Sequence, residues 1–500
     1  MGEFVKKTKI VVEKDFTLAQ VDKRLFSSFI EHLGRAVYTG IYEPDHPDAD
    51  EQGFRRDVIK LVRNLNIPLV RYPGGNFLSG YRWTDGIGPV KDRPTRLDLA
   101  WHSIEPNTIG IDEFYDWTKK AGTGIMGAVN MGTGTPQEAA DLVEYCNFAG
   151  GTYWSDLRKK NGHADPLAIK TWCVGNEMDG DWQICHLDAD DYGKKAREAA
   201  KMMKWIDPEI ELVVCGSATS NQPTYPSWDR TVLEYTYDNV DFISLHRYYE
   251  DKGNKDDFLA SHVDMNRFIK TVCGTADYVK ALKRSKKTMY LSFDEWNVWY
   301  QSKQESHPWQ TAPRILEDNY SLLDALVFGG LAITLLNNSD RVKIACLAQL
   351  VNVIAPIFTE PGGKSFCQTI YYPFQDISLY GRGTVLSTVN KTTCKETVYG
   401  DAPDVVSSVV YNEENGEITA FILNTNLSSD EEVQLDMASF GKTSMISRTE
   451  LHGADLDAKN TFAKPDAVHP VSVETTEGDG GIYSVPLKPA SWNVLRFRVK

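Results

Sequence analysis

Residues 290–300 read YLSFDEWNVWY, an apolar run that turns acidic and aromatic before it ends. A buried parallel strand that presents polar and aromatic side chains to a pocket at its end has this pattern. A second stretch of the same design, TWCVGNEMD at residues 171–179, also leads from apolar residues into Asn and Glu. The candidate carboxylates Glu177 and Glu295 thus lie at the ends of two separate predicted strands. Two carboxylates beside tryptophan rings are what a glycosidase needs, since acids break the bond and indoles stack on the sugar.

Outward from these stretches, short apolar runs alternate with longer helical patterns, which indicates parallel strands joined by helices. The predicted strands number eight and cover residues 25–31, 68–73, 125–131, 169–177, 211–217, 241–248, 288–296 and 342–349. Predicted helices lie between them, among them residues 53–65, 111–121, 189–206 and 316–326. Eight such units predict a (β/α)8 TIM barrel. A doubly wound open sheet is the alternative, although no GxGxxG follows the first strand.

The two ends of the chain predict a different architecture. Short strands separated by turn-forming residues are expected at residues 405–411, 418–424, 432–435, 443–451 and 492–499. The sequence NEENGE at residues 412–417 predicts a hairpin turn among them. Because both termini flank the barrel, an all-β sandwich is expected from the N-terminal strands and the C-terminal segment together. The predicted division is residues 1–18 for the N-terminal strands, 19–385 for the catalytic barrel and 386–500 for the C-terminal β-sandwich.

Polar residues gather at the ends of the predicted strands, where a barrel of this kind carries its chemistry. They are Glu31, His32, residues 71–76, Asn130, Asn176, Glu177, residues 246–249, residues 295–299, Gln349 and Asn352. If Glu177 and Glu295 end the fourth and seventh strands, they face each other across the barrel mouth. A separation of ~5–5.5 Å would allow direct attack and retention, whereas ~6.5–9.5 Å would admit a water and give inversion.

Other residues near the two carboxylates have candidate supporting roles. Asn176 could hold the sugar hydroxyl beside the anomeric carbon, or it could merely end a strand. His246 and Tyr248 are two apart, so both could face the barrel interior and one could bond the nucleophile; a satisfied core histidine is the alternative. Arg71 could pair with a catalytic carboxylate and favour its ionised form. Asp294 should point away from the site, because neighbours on a strand alternate.

The glycines of RYPGGN, residues 71–76, are expected to let the backbone approach a ligand closely. The pairs Cys185/His186 and His102/Asp98 match no zinc spacing, so neither a metal nor a cofactor is expected.

Composition narrows the class of partner and compartment. A net charge of −15 argues against nucleic acid as a partner. The eight cysteines include no CxxC pair, which favours buried free thiols. The N-terminal stretch MGEFVKKTKIVVEKDF has no apolar signal region, and no apolar run is long enough for a membrane span. A reducing cytoplasm is therefore the expected location.

Several long stretches closely resemble the α-L-arabinofuranosidases of glycoside hydrolase family 51. They include FSSFIEHLGRAVY (26–38), VRYPGGNFLSGY (70–81), DRPTRLDLAW (92–101), TWCVGNEMDG (171–180), SLHRYY (244–249), LSFDEWNVWY (291–300) and KIACLAQLVNVIAPI (343–357). The resemblance implies a (β/α)8 barrel with a jelly-roll sandwich, net retention, no metal and often a homohexamer. It implies that Glu177 is the acid/base and Glu295 the nucleophile. The substrate ligands and neighbours it implies are Glu31, Asn76, Asn176, Gln349, Tyr248, Arg71, Trp101 and Trp299, with Tyr248 bonded to the nucleophile and both tryptophans as pocket walls.

Two departures from the family pattern stand out. Arg247 replaces a residue that is usually Gln, and NNSD at residues 337–340 replaces Lys-His-Ala-Asp. Both are expected to act on the pocket rim or the leaving-group preference.

The expected function is a retaining, exo-acting α-L-arabinofuranosidase. It would release terminal α-L-arabinofuranosyl residues from arabinan- or arabinoxylan-derived oligosaccharides by double displacement. A pocket closed by Trp299 and residues 301–313 would favour chain ends. The alternatives are an endo-glucanase or β-xylosidase of the same clan, or a non-catalytic sugar-binding protein.

Overall fold

Eight parallel strands close into a barrel in the computed structural model, which describes residues 6–300 and 308–500. In chain order they are β1 Ser27–Phe29, β2 Leu69–Tyr72, β3 Gly124–Val129, β4 Thr171–Val174, β5 Glu211–Val214, β6 Phe242–Tyr249, β7 Tyr290–Val298 and β8 Val342–Ala348. Each strand pairs in parallel with its neighbours in sequence, and β8 pairs with β1 to close the ring. Each overlaps one of the eight predicted runs. The predicted (β/α)8 barrel is confirmed, and the open-sheet alternative is wrong.

Helices surround the barrel. Their bounds are α1 Arg56–Leu65, α2 Ile111–Ala121, α3 Pro136–Asn147, α4 Tyr153–Lys160, α5 Ala189–Ile206, α6 Ser227–Thr236, α7 Lys255–Leu259, α8 Ser261–Leu282, α9 Leu322–Leu336 and α10 Tyr371–Tyr380. The helix predicted at 316–326 is displaced: α9 begins at Leu322, because the Ser321 side chain caps it by accepting the Asp324 N–H. It then continues ten residues beyond the predicted end, from 326 to 336.

The N-terminal strand Lys6–Gln20 joins a sheet outside the barrel, as predicted, and pairs with strands from the C-terminal segment. This sheet has nine strands in the order Val471–Ser472, Thr443–Leu451, Ser491–Val499, Glu417–Asn424, Val405–Asn412, Thr384–Lys391, Lys6–Gln20, Glu431–Asp436 and Ile482–Leu487. Tyr483 and Phe497 lie on strands far apart in that order, yet their ring centroids are 4.8 Å apart. The sheet therefore curls over its own apolar core. The jelly-roll topology and the domain boundaries stay predictions.

Short two-stranded hairpins complete the described structure. They pair Arg96–Asp98 with Ser103–Glu105, Ile357–Thr359 with Ser365–Cys367, and Cys394–Thr397 with Gly400–Pro403.

Helix α9 connects the barrel to the curled sheet. All of its 15 residues are buried, as expected for a helix that is apolar on every side. A side chain on Gly329 would lie 2.6 Å from the ring of Trp492, so sheet and helix pack at close range. No helix of the described ranges is long and apolar enough to cross a membrane.

The buried histidine of α8 predicts a pH dependence of stability. His262 packs beside α9, and burial lowers its pKa to about 4, with the nearby Lys395 adding to the effect. The folded protein thus keeps the ring neutral while the unfolded chain protonates it below pH ~6.5. We expect this residue to cost up to about 3 kcal/mol of unfolding free energy as the pH falls from 6.5 toward 4.

Urea unfolding of the parent and of His262→Gln between pH 7 and pH 4 measures this effect. As the pH falls across that window, the parent should lose more unfolding free energy than the variant. A difference that stays constant with pH would contradict the prediction.

Candidate active site

A cavity of about 550 Å³ opens at the C-terminal ends of the barrel strands. Its walls include the predicted residues Glu31, Asn76, Trp101, Glu177, Tyr248, Glu295, Trp299 and Gln349. The remaining predicted residues, Arg71, Asn176 and His246, lie beneath this surface and are at most 2% exposed. The structure therefore brings the whole predicted set to one end of the barrel.

The two candidate carboxylates meet at the floor of this cavity. Glu177 follows the end of β4, and Glu295 lies within β7. One carboxylate oxygen of each, together with a ring nitrogen of His246, lies within 4.8 Å of the others. This upper limit on the separation of the nearest oxygens agrees with the ~5–5.5 Å between carboxyl groups that direct attack on an anomeric carbon requires, and it lies below the ~6.5–9.5 Å of inverting enzymes.

Glu295 is held by two donors. Arg71 Nη1 donates to Oε1 at 2.7 Å, and the Tyr248 hydroxyl donates to Oε2 at 2.8 Å. Burial raises the pKa of Glu295, and the adjacent Glu177 raises it further. The cations of His246 and Arg71 and the Tyr248 hydroxyl act in the opposite direction. Arg71 thus favours the ionised carboxylate as expected, but burial outweighs it in the net direction.

A β-bulge in β7 turns two successive acids into the barrel. Between the pairs Ser292–Ser244 and Glu295–His246, β7 advances three residues while β6 advances two. The extra residue breaks the alternation of side chains along the strand. Asp294 therefore faces inward, with Oδ1 3.0 Å from His246 Nε2, and the expectation that it points away from the site is wrong.

His246 lies among three carboxylates. Nδ1 is 2.8 Å from Glu177 Oε1 and 3.6 Å from Glu295 Oε2, while Nε2 faces Asp294. Burial alone would lower the pKa of His246, but the three carboxylates outweigh it and raise the pKa to about 10. Among the described residues, Glu177, His246 and Glu295 form the one group spaced to hold a metal ion. A doubly protonated ring has no lone pair for a metal ion, so metal binding here would have to displace a proton from His246.

Glu31 is the centre of a second group of contacts. Its Oε1 accepts hydrogen bonds from the Phe77 backbone N–H at 2.8 Å and from Trp101 Nε1 at 2.7 Å. Its backbone N–H donates to Gln349 Oε1 at 3.0 Å. Burial raises the pKa of Glu31 to about 8, although both donors oppose the rise. Glu31 can therefore present either a hydroxyl donor or a carboxylate acceptor to a ligand near neutral pH.

An amide network fixes how two asparagines face the cavity. Arg71 Nη2 donates to Asn176 Oδ1 at 2.6 Å, and Asn176 Nδ2 donates to Asn76 Oδ1 at 3.4 Å. Gln183 Nε2 also donates to Asn76 Oδ1, while its own oxygen accepts from the Ser79 hydroxyl at 2.8 Å. Since the Asn76 oxygen is occupied, its N–H groups are left to bind a ligand hydroxyl.

Several residues of this site were missed by sequence reasoning, among them Trp182, Gln183 and Tyr399. The Trp182 indole donates to Glu177 Oε2 at 2.7 Å, and Gln183 orients Asn76. The sequence does carry a signal for Trp182, because it follows Glu177 by five residues, much as Trp299 follows Glu295 by four. Tyr399 lines the cavity from the hairpin turn between Cys394–Thr397 and Gly400–Pro403, and no sequence motif indicates it.

The two departures from the family pattern have different positions. Arg247 lines the cavity, bound to Asp264 at 2.8 Å and to the Thr219 hydroxyl at 3.1 Å. Residues 337–340 directly precede β8, at the opposite end of the barrel, so the expected effect on the pocket rim is wrong for them. Of the segment expected to close the pocket, Trp299 lines the cavity, and residues 301–307 lie outside the described residues.

Gly75 is required for the close approach of the backbone to Glu31. Its φ is +39°, and a Cβ would lie 2.0 Å from Glu31 Oε2. We expect Gly75→Ala to displace this carboxylate and to lower kcat/KM by about 100-fold, the typical cost of misplacing a substrate-positioning group. Steady-state kinetics with an aryl arabinofuranoside measures it.

Gly416→Ala is the matched control, because Gly416 has a φ of +67° and nothing within 4 Å of a Cβ. Gly416→Ala also places a Cβ at a positive φ, and because Gly416 does not line the cavity, this variant should keep the parent kcat/KM. Equal losses in both variants would assign the effect to strain alone.

Two family models and several known proteins match this chain. Residues 61–267 match the family model described as "Alpha-L-arabinofuranosidase 1 domain", and residues 294–491 match "Alpha-L-arabinofuranosidase C-terminal domain". An intracellular exo-α-(1→5)-L-arabinofuranosidase of Acetivibrio thermocellus is 51% identical, over 98% of this chain and 99% of its own length. An exo-α-(1→6)-L-arabinofuranosidase of Bifidobacterium longum is 48% identical, over 99% of this chain and 98% of its own.

A solved structure agrees with these relatives. AbfB, a family 51 α-L-arabinofuranosidase from Bifidobacterium longum, superposes with a TM-score of 0.96 at 43% identity, over 99% of this chain and 100% of AbfB. These matches do not favour a glucanase, a xylosidase or a non-catalytic sugar-binding protein. The chain belongs to the glycoside hydrolase family 51 α-L-arabinofuranosidases.

Proposed function

We propose that this enzyme removes single α-L-arabinofuranosyl residues from the non-reducing ends of short arabinan- or arabinoxylan-derived oligosaccharides, with retention of configuration. The observation that carries the proposal is the spacing of Glu177 and Glu295, whose nearest oxygens lie within 4.8 Å. Carboxylates this close suit direct attack on an anomeric carbon, whereas enzymes that place a water beside that carbon hold their carboxyl groups ~6.5–9.5 Å apart.

In the first step, Glu295 attacks the anomeric carbon as the glycosidic bond breaks. The bonding electrons go to the leaving oxygen, which takes the proton of Glu177, and a covalent arabinosyl-enzyme forms. In the second step, Glu177 accepts a proton from water while the water oxygen displaces Glu295. Arg71 and Tyr248 hold the Glu295 oxygens in position for attack.

The furanose hydroxyls would be bound by the polar groups at the cavity floor. Glu31, Asn76, Asn176 and Gln349 supply donors and acceptors, and each is oriented by the hydrogen bonds described above. Trp101 and Trp299 form walls against which the apolar sugar faces pack. The cavity of about 550 Å³ has the size of a small-molecule site, which supports binding of a chain end.

Linkage, compartment and assembly complete the proposal. The Acetivibrio relative is named for α-(1→5) bonds, and it has the higher identity, so we infer a preference for that linkage. Its name also says intracellular, which supports action in the cytoplasm on imported oligosaccharides. A homohexamer is expected from the family resemblance, and analytical ultracentrifugation measures it.

The decisive experiment follows the first product by 1H NMR. The enzyme is incubated with α-(1→5)-arabinobiose, α-(1→6)-arabinobiose, an arabinoxylo-oligosaccharide and an aryl β-xyloside. We expect α-arabinofuranose to appear before its β-anomer, with the α-(1→5) dimer cleaved fastest. Initial release of the β-anomer would overturn retention, and faster cleavage of the α-(1→6) dimer would overturn the linkage assignment.

A further inference from the structure

We propose that His246 is a shared counter-ion, an imidazolium held by Asp294 that stabilises negative charge on Glu295 before the first chemical step and on Glu177 after it. This inference deepens the proposed mechanism and rests on it. His246 would act through the two carboxylates, as a positioning residue that does not touch the reacting atoms.

The position of the ring between the two acids is the first observation. Nδ1 lies 2.8 Å from Glu177 Oε1 and 3.6 Å from Glu295 Oε2, so one N–H can interact with either oxygen without moving far. Arg71 differs in this respect, because its two carboxylate partners are Glu295 at 2.7 Å and Asp294 at 3.8 Å, and Glu177 is not one of them.

The proposal assigns a proton to each ring nitrogen, and the acceptors around the ring support this assignment. Nε2 is 3.0 Å from Asp294 Oδ1, and Nδ1 faces the Glu177 carboxylate. Asp294 is ionised and offers only acceptors, so Nε2 carries a proton. In the proposed mechanism Glu177 starts with the proton, and Nδ1 then donates to its carbonyl oxygen and toward the ionised Glu295 at 3.6 Å. His246 is 2% exposed and Asp294 is 1% exposed, so water does not replace either contact.

The other groups that face His246 and Asp294 do not remove the charge of either residue. Arg71 Nε lies 3.8 Å from Asp294 Oδ2, and the Cys173 thiol lies 3.4 Å from the same oxygen. Burial raises the pKa of the Cys173 thiol, and burial likewise raises the pKa of the Tyr248 hydroxyl, so both are neutral. Interaction with Arg71 and His246 outweighs burial and lowers the pKa of Asp294, which keeps it ionised.

Charge balance explains why a shared cation is useful. The proposed mechanism begins with Asp294 and Glu295 negative, Arg71 and His246 positive, and the transferable proton on Glu177. When Glu295 forms the ester, its charge disappears and Glu177 becomes negative after giving up its proton. The buried set is neutral in both states, and the N–H of His246 is close to both carboxylates on which the negative charge resides. Burying an unpaired charge at either stage would be costly.

Neutron diffraction on the deuterium-exchanged enzyme at pH 7 tests the protonation state directly. Deuterons on both ring nitrogens of His246 support the proposal. A single deuteron on the ring, with the other nitrogen accepting from Glu177, overturns it.

Kinetics of His246→Gln test whether one cation serves both Glu295 and Glu177. Gln keeps an N–H donor and loses the charge, so both steps should slow by about 100-fold, the usual cost of removing a preorganised electrostatic contact. An aryl arabinofuranoside with a good leaving group reports the second step, and α-(1→5)-arabinobiose reports the first. Loss in only one step, or in neither, overturns the shared role.

Asp294→Asn provides a second variant should His246→Gln fail to fold. Without the Asp294 carboxylate, the ring should lose its proton at lower pH, so the alkaline limit of the second step should move down by at least one pH unit. An unchanged limit counts against the proposal.

His262→Gln, which removes a buried histidine outside the cavity, is the control and should keep the parent pH profile. The two proposals can fail separately. If these tests contradict the role of His246 but the parent enzyme still hydrolyses arabinofuranosides with retention, only the role of His246 is wrong.

Discussion

Replacing Glu295 by alanine is expected to lower kcat on every arabinofuranoside by at least about 10⁴-fold, a scale set by the removal of nucleophiles from other covalent enzymes. Among the described residues, the two neighbouring carboxylates are not expected to replace it, because Glu177 serves the leaving group in the proposed mechanism and Asp294 is bound to His246. The variant also leaves the guanidinium of Arg71 without its partner at 2.7 Å. Stopped-flow and steady-state kinetics with an aryl arabinofuranoside measure the loss.

Two controls make this result specific. Glu211→Ala removes a glutamate at the start of β5, at the opposite end of the barrel, and should keep the parent kcat. Azide added to Glu295→Ala can enter only from the face that the nucleophile occupied, so any product must be the inverted β-azide. Formation of the retained α-azide would show that another group serves as the nucleophile.

The second large effect is expected for Glu177→Ala, and its size should depend on the leaving group. A good leaving group departs without a proton, so the rate of the first step should change little. With α-(1→5)-arabinobiose the rate of that step should fall about 10²–10⁴-fold, the usual contribution of general acid catalysis. The second step should be slow for all substrates, because no base activates the water. Pre-steady-state bursts of aryl alcohol measure the two steps separately.

Azide distinguishes this variant from the first. It needs no general base, so it should accelerate the second step of Glu177→Ala and yield the retained α-azide. A matched variant, Trp182→Phe, removes the indole N–H that donates to Glu177 Oε2 at 2.7 Å and keeps the acid. It should show a weaker form of the same leaving-group dependence. Equal slowing of all leaving groups in Glu177→Ala would contradict the acid role.

Much of the barrel could be predicted because its strands are buried on both faces and appear as apolar runs of the right length. The positions of Glu177 and Glu295 followed from one rule, that functional residues lie at the C-terminal ends of barrel strands. The start of α9 could not be placed so easily, since its apolar run has no helical period and the capping Ser321 decides where it begins.

The site differed from expectation where local geometry departs from regular alternation. The inward position of Asp294 depends on an extra residue in β7, and a bulge leaves no clear mark in the sequence. Tyr399 reaches the cavity across some 100 residues of chain after Trp299, a contact that no local pattern encodes. Residues 337–340 were misassigned because closeness in sequence to β8 does not reveal which end of the strand they adjoin.

The burial of α9 on every side affects how the protein can unfold and evolve. Detaching the curled sheet would expose an apolar helix to water, so neither part should persist alone once the other melts. Calorimetry should accordingly record one transition for the whole chain. Exchange of the sheet for an unrelated module during evolution would have required a rewritten helix surface, which makes the two parts poor candidates for independent shuffling.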